Sequence, residues 1–285
     1  MIDAHVHLWD PRVLTYDWLE GTPIDRPMLP ADYAGEGTGA TGAVFVQAAD
    51  DATDPVDEAR WVASLDWPEL IAIVAGADLA AGADVVGAQL DALAAVPRVS
   101  GVRHLLQDTG VAAFDDLAPG LKELAARGGT FDACIRHQQL PALIALLRAA
   151  PELVVVLDHV GKPPMHEGID SDAGAAWARS LAELAERPGT FVKLSGLTGE
   201  APDAEAVDRH ANGFLAHALD VFGPERAMIA TDWPVSTTFG AGGSAGAWVE
   251  RVRSLVTASG WDEVADGTAR RVYLPHGAAA LAARG

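Results

Sequence analysis

Ile2-Asp3-Ala4-His5-Val6 is the first of eight short apolar or β-branched runs that predict β-strands. The other seven are Ala43–Gln47, Ile71–Ala75, Val99–Leu105, Thr130–Ile135, Leu153–Leu157, Phe191–Leu194 and Ala227–Ala230. Most are almost continuously apolar, which is typical of parallel strands covered on both faces. Eight such strands at intervals of roughly 20 to 40 residues, each followed by a helical pattern, predict a closed (β/α)8 barrel of the TIM type.

The segments between the strands support this prediction. Asp54-Pro55 predicts a helix start, with Asp as the N-cap and Pro at the first helical position. Apolar residues within 204–222 repeat at helical spacing and predict one buried stripe. A doubly wound sheet is the alternative, but its glycine-rich phosphate turn is missing after the first strand. The glycine-rich stretches 35–42 and 239–246 are interpreted as loops, and residues 1–285 as one domain.

Composition excludes several classes of protein. The net charge of −20, from 40 acidic and 20 basic residues, opposes binding to nucleic acid and to anionic membranes. No apolar run approaches the roughly 18 residues of a membrane span. The first residues lack a secretory signal pattern, and the single cysteine, Cys134, excludes an internal disulfide, so we expect a cytoplasmic protein. Its oligomeric state cannot be predicted from these features.

The pair His5-Val6-His7 is the first candidate functional motif. Alternate residues of a strand point to the same side, so both imidazoles are expected to face the barrel interior and can share a divalent metal ion. An H-x-H pattern also arises by chance. Its place at the end of the first strand is what favours a functional role.

Two further candidates follow later strands. His159 ends the sixth strand within Asp158-His159-Val160-Gly161-Lys162-Pro163, and Asp232 ends the eighth within Thr231-Asp232-Trp233-Pro234. An aspartate at this position can bind metal or take a proton from water, whereas the alternative for both residues is a turn or helix cap. Their joint placement with the histidine pair on one barrel rim favours an active site.

These motifs resemble the amidohydrolase superfamily, and more narrowly its amidohydrolase-related lactonase branch, which includes fuconolactone, rhamnonolactone and pyrone-dicarboxylate lactonases. Three other stretches share the resemblance: Gly101–Gln107, Lys193–Leu197 and the final Gly267–Tyr273. The resemblance implies that Asp232 is the general base and that His5, His7 and His159 polarise the lactone carbonyl, directly or through a metal.

The resemblance also bears on the cofactor. The end of the fifth strand holds Arg136-His137-Gln138 in place of the Lys or Glu that bridges two metals in the dinuclear enzymes, so a two-metal centre is not expected. One divalent ion bound by His5, His7, His159 and Asp232 is favoured, with Zn²⁺ as the preferred ion, and metal-free catalysis stays open.

Substrate contacts are predicted for five residues. Arg103 and Lys162 are expected to bind a carboxylate or ring oxygens, with an ion pair between Arg103 and Asp108 or another surface carboxylate as the alternative. Gln47 and His137 are expected to bind hydroxyl groups. Trp9, with Trp18 and Trp233, is expected to wall the pocket, with burial in the core as its alternative.

The leading prediction is hydrolysis of a small-molecule lactone, in particular a sugar-acid lactone. A metal-dependent non-oxidative decarboxylase of the same superfamily is the first alternative, and the Asp158–Pro163 context argues against it. A catalytically silent binding barrel is the second, and the four retained polar side chains argue against that.

Overall fold

The computed structural model describes residues 1–50 and 52–274 and confirms the predicted barrel. Its eight parallel strands follow one another in chain order around the sheet. They are β1 Ile2–Val6, β2 Gly42–Val46, β3 Leu70–Gly76, β4 Val99–Leu105, β5 Thr130–Cys134, β6 Val154–Leu157, β7 Thr190–Leu194 and β8 Ala227–Ile229. Each predicted strand is present, with every end within one residue of its predicted position.

The barrel closes just beyond the end of β8. Val6 pairs with Trp233 in a parallel bridge. The backbone N–H of Asp232 donates to the His5 carbonyl at 2.9 Å, and that of His7 donates to the Trp233 carbonyl at 2.8 Å. The seam between the first and last strands is therefore formed by the segments that carry three of the candidate residues.

Helices follow the strands on the outside. They are α1 Pro30–Ala34, α2 Pro55–Ser64, α3 Ala83–Ala94, α4 Ala118–Arg127, α5 Leu140–Leu147, α6 Asp172–Ala185, α7 Leu197–Glu200, α8 Ala204–Phe222, α9 Val235–Thr238, α10 Ala245–Leu255, α11 Ala258–Asp262 and α12 Thr268–Tyr273. The Asp54 side chain caps α2 by accepting from the Val56 N–H, as predicted. The apolar stripe of α8 is buried, also as predicted. No helix among the described residues is both long and apolar enough to span a bilayer.

An irregularity in β1 decides which side chains face the interior. Asp3 pairs with Ala43 and Val6 with Phe45, so β1 advances three residues while β2 advances two. The extra residue is a bulge, which breaks the alternation of a regular strand. The Asp3 carboxylate accepts from the His5 N–H within this bulge at 3.2 Å. As a result Ile2 and Ala4 pack among the apolar side chains inside the barrel, and the next residue, His5, also points inward and reaches the polar centre.

Small apolar side chains fill the lower interior. Residues from β1, β2, β3, β6 and β8 form one buried cluster with Ala269, Val272 and Tyr273 of α12. This helix closes the amino-terminal end of the barrel. A second, larger cluster packs between the strands and the outer helices. The opposite, carboxyl-terminal end carries the polar side chains and is where (β/α)8 enzymes place their active sites.

Candidate active site

His7 presents one ring nitrogen to the centre of the barrel mouth. Its Nδ1 lies 2.8 Å from the Val46 carbonyl oxygen, and because a carbonyl only accepts, Nδ1 must carry the proton. The Nε2 atom then faces inward, 3.0 Å from Nε2 of His5. This backbone contact therefore selects the nitrogen of His7 that is offered to the site.

His159 approaches from the opposite side, after β6. Its Nδ1 lies 3.0 Å from the Ser195 hydroxyl, and its Nε2 lies 3.8 Å from Oδ1 of Asp232. The residue has a φ of +54°, and Gly196 packs directly against its ring. A Cβ atom on Gly196 would come within 2.5 Å of His159, so only glycine permits this approach.

Asp232 is the point where the three histidines converge. Its Oδ1 lies 3.2 Å from His7 Nε2 and 3.5 Å from His5 Nε2, while Oδ2 accepts from the Ser236 hydroxyl at 2.5 Å. Burial opposes its ionisation, but the neighbouring His159, His7 and His5 hold the pKa of Asp232 well below its ordinary value. The carboxylate is therefore ionised, with one oxygen held and the other directed into the site.

Backbone strain is concentrated around this centre. Five non-glycine residues in the described ranges have positive φ, and four of them belong to the loops after β6 and β8. They are His159, Val160, Lys162 and Asp232. A left-handed conformation is unfavourable for such residues, above all for β-branched Val160, and is found mainly where the surrounding structure imposes it for function.

Beneath the histidines lies an inner cluster, formed by Lys193, Asp132, Asp158 and Tyr273. Lys193 Nζ lies 2.5 Å from Asp132 Oδ2, 2.9 Å from Asp158 Oδ1 and 3.1 Å from His5 Nδ1. The Tyr273 hydroxyl donates to Asp132 Oδ2 at 2.8 Å. All four side chains are buried. The cluster therefore anchors His5 from below, on the side away from the barrel mouth.

The charges of the inner cluster follow from burial and contact. Burial opposes the charge on Lys193, but the two carboxylates raise its pKa, so the ammonium is retained. Burial raises the pKa of Asp132 to about 6. Burial also opposes the ionisation of Asp158, but Lys193, His5 and His159 together lower its pKa. Burial, followed by the Lys193 cation, lowers the pKa of His5, whose ring is therefore neutral.

The residues at the centre fit one divalent metal ion. Ligand atoms of His5, His159 and Asp232 lie within 4.8 Å of one another, and His7 Nε2 adjoins them. Nδ1 of His7 contacts the Val46 carbonyl and Nδ1 of His159 contacts the Ser195 hydroxyl. Contacts of this kind fix the ring orientation of metal-binding histidines and leave Nε2 for the metal. Imidazole and carboxylate are a ligand set that suits Zn²⁺.

A cavity of about 320 Å³ opens above this centre. Its lining includes the charged side chains Asp50, Arg103, Asp108, Lys162 and Asp232. The remaining lining residues are His7, Trp18, Ala48, Ala49, Leu105, Gln107, Cys134, His159 and Val235. The volume suits a small ligand with polar groups at fixed positions.

The sequence model of the amidohydrolase family matches residues 2–274. The chain belongs to the amidohydrolase family. It is 33% identical over 296 residues to an L-fucono-1,5-lactonase of Burkholderia multivorans, with 95% of each chain covered. It is also 27% identical to an L-rhamnono-gamma-lactonase of Scheffersomyces stipitis, over 61% of this chain and 56% of that one.

The amidohydrolase fold is shared with solved structures as well. A crystal structure of an amidohydrolase from Burkholderia multivorans with bound zinc superposes with a TM-score of 0.80 at 30% identity. The superposition covers 95% of this chain and 98% of that one. An amidohydrolase of this fold can thus hold zinc, in agreement with the donor set found here.

The structure brings His5, His7, His159 and Asp232 together, and it places Arg103 and Lys162 on the cavity wall. Arg103 is not paired with Asp108, which contacts Arg136 at 3.0 Å. Arg103 instead lies 3.8 Å from Asp158, because β4 directs its guanidinium into the barrel. The surface alternative for Arg103 is therefore wrong.

Three of the expected substrate contacts are placed elsewhere. Trp9 is fully buried and donates to the Ile24 and Arg26 carbonyls, so it is a core residue, whereas Trp18 lines the cavity as expected. Gln47 lines an adjoining open groove. His137 donates to the Lys162 carbonyl at 3.0 Å and is not part of the cavity lining.

Sequence reasoning did not assign the residues that hold the histidines. The local sequence assigns no site role to Asp132, Asp158, Lys193, Ser195 or Gly196. A usable signal was present: Asp132 and Lys193 are charged residues inside otherwise apolar strands, which is rare unless they are paired. Their partners lie on other strands and could not be identified without the fold.

Proposed function

We propose that this amidohydrolase hydrolyses a small sugar-acid lactone to the open-chain hydroxy acid. The convergence of His5, His7, His159 and Asp232 at the floor of a cavity of about 320 Å³ carries this proposal. The lactonase names of the two relatives support the substrate class. They differ in ring type, so the proposal extends to both 1,5- and gamma-lactones.

Asp232 acts as the general base. Its Oδ2 is held by Ser236, so Oδ1 takes the proton from a water molecule that attacks the lactone carbonyl carbon. When the tetrahedral adduct collapses, the ring C–O bond breaks and the same carboxyl group returns the proton to the departing ring oxygen. The carboxylic acid product then loses its own proton to solvent.

The three histidines surround the position where negative charge develops on the carbonyl oxygen. His5 accepts from Lys193 at Nδ1 and so presents its Nε2–H to that oxygen, whereas His7, with its proton on Nδ1, presents an Nε2 lone pair suited to a metal ion. The rings are held by Val46, Ser195 and the inner cluster, so they need little reorganisation during the reaction. A divalent ion, with Zn²⁺ preferred, held by His5, His7, His159 and Asp232 would polarise the carbonyl and acidify the attacking water. Arg103 and Lys162 contact ring oxygens or hydroxyls, and Trp18 faces the apolar side of the sugar.

The test is a pH-indicator assay of the purified protein against a panel of aldono-1,4- and 1,5-lactones, with and without a chelator. Proton release is expected with at least one lactone. Asp232→Asn is expected to lower turnover by about 10² to 10⁴, the usual contribution of a general base. Asp220→Asn, a charge-matched change on the exposed face of α8, is the control.

The alternatives give different results. No proton release across the panel, with CO₂ released from carboxylated aromatic or muconate-like acids, would replace the lactonase with a decarboxylase. Lactone binding without turnover in the wild-type protein would indicate a silent binding barrel. The chelator arm decides whether the metal is required for turnover.

A further inference from the structure

Lys162, one of the two cations of the cavity, is neutralised by the protein itself. Its Nζ lies 2.7 Å from Glu200 Oε1, on the short helix α7, and donates to Gln107 Oε1 at 2.6 Å. Within residues 1–50 and 52–274 these are its two acceptors, which leaves one ammonium N–H for a substrate oxygen. Lys162 can therefore donate a hydrogen bond while its charge is balanced.

Glu200 belongs to a rim cluster, formed by Lys162, Glu200, Arg136 and Asp108. Arg136 lies 3.8 Å from Glu200 Oε2 and 3.0 Å from Asp108. The four side chains alternate in sign along the barrel mouth. Two cations meet two carboxylates, so the cluster adds no net positive charge to the cavity.

The second cation of the cavity, Arg103, also has partners within the protein. Its guanidinium donates to the Gln47 backbone carbonyl and lies 3.8 Å from Asp158 Oδ2. Against Arg103 and Lys162 the cavity wall places three carboxylates, Asp50, Asp108 and Asp232. With Glu200 and its second partner Arg136 added, four carboxylates face three cations, so these side chains carry a net charge of −1, of the same sign as the net charge of −20 of the whole chain.

We propose that Glu200 is a specificity-determining residue, which cancels the charge of Lys162 and thereby restricts the cavity to uncharged lactones. This deepens the proposed function and rests on it. A lactone that carries a free carboxylate then meets two wall cations, Lys162 and Arg103, whose charges are already balanced by carboxylates of the described residues. The hydrolysis product is itself a carboxylate, so the same balance of side-chain charges on the wall favours its release.

The test compares two substrates that differ at one terminal group, a neutral hexonolactone and the anionic hexaric acid monolactone in which a carboxylate replaces the terminal CH₂OH. In Glu200→Gln the ratio of kcat/KM for the charged lactone to that for the neutral one is expected to rise about tenfold or more. Product inhibition by the hexonate should strengthen in parallel. Glu200→Asp, which keeps the charge, should retain most of the wild-type preference.

Glu263→Gln is the matched control, because it removes a carboxylate that is ion-paired with Arg271 beside the helix at the other end of the barrel. It should leave the substrate ratio unchanged. An unchanged ratio and unchanged product inhibition in Glu200→Gln would overturn the proposal. If the wild-type protein hydrolyses neither lactone, the proposed function fails, and equilibrium binding of the hexarolactone still tests Glu200: equal affinity in wild type and Glu200→Gln overturns the inference.

Discussion

The inner cluster and the rim cluster use the same pairing of lysine with carboxylate in two very different surroundings. Lys193 and its two aspartates are fully buried, whereas Lys162 is 13% exposed and Glu200 is 26% exposed. If one partner of a buried pair is removed, water cannot solvate the charge that is left, whereas at the exposed rim water can do so. The inner cluster therefore serves to hold His5 in place, while the rim cluster serves to set the charge that a substrate meets.

Removal of Lys193 is expected to have the largest effect on stability. Lys193→Met leaves Asp132 and Asp158 buried without their cation, which should cost about 3 to 5 kcal/mol in the free energy of unfolding. Urea denaturation measures the loss. The double variant Lys193→Met with Asp132→Asn removes one charge of each sign and should recover part of the stability. A loss below about 1 kcal/mol would mean that water reaches the inner cluster.

Glu58 offers a test of burial without a lysine partner. Its Oε1 accepts from the N–H groups of Ala48 and Ala49, on the loop that lines the cavity, and burial raises its pKa from 4.5 to about 7. Below pH 4.5 Glu58 is protonated in both the folded and unfolded states and contributes nothing. As pH rises to 7 the unfolded state ionises first, so the folded protein loses about 3 kcal/mol relative to its Glu58→Gln variant.

Denaturation of both proteins at several pH values between 4.5 and 7.5 measures this difference. A constant gap across the range would show that Glu58 is ionised in the folded protein at an ordinary pKa. Its burial would then be balanced by the two backbone donors, and a buried carboxylate of this protein would not need a lysine partner to stay charged.

Substitution of Gly196 tests how precisely the ring of His159 must be positioned for activity. Gly196→Ala forces a Cβ against the ring and imposes a φ of +80° on alanine, so we expect a loss of about 1 to 2 kcal/mol in stability and a fall of at least tenfold in kcat. Gly37→Ala is the matched control, since Gly37 has a φ of +68° with open space around it. If both variants lose equal activity, backbone strain and not the displacement of His159 is the cause.

The smallest expected effect is that of Glu200→Gln on stability. Because this pair is partly exposed, its loss should change the free energy of unfolding by less than about 1 kcal/mol, while the substrate preference changes about tenfold. The wild-type preference should also weaken as salt is raised from 0.05 to 0.5 M, roughly, because salt screens charges at the rim. A stability loss equal to that of Lys193→Met would erase the distinction between the clusters.

The sequence by itself predicted the barrel and the strand ends that carry His5, His7, His159 and Asp232. Strand runs, helix caps and the apolar stripe of α8 are local patterns, and each is present in the structure close to its predicted bounds. The placement of His5, His7, His159 and Asp232 at strand ends needed only the rule that parallel strands of a barrel end on one face. Catalytic roles for these residues remain proposals.

Only the tertiary structure decided what supports and surrounds that centre. The bulge in β1 turns His5 into the barrel, and the barrel brings Asp132 and Lys193 together across a sequence separation of 61 residues. Trp9 is buried whereas Trp18 lines the cavity, since the path of the loop after β1 selects which ring is buried. Strand register and loop paths arise from contacts across the whole chain, and no local period in the sequence records them.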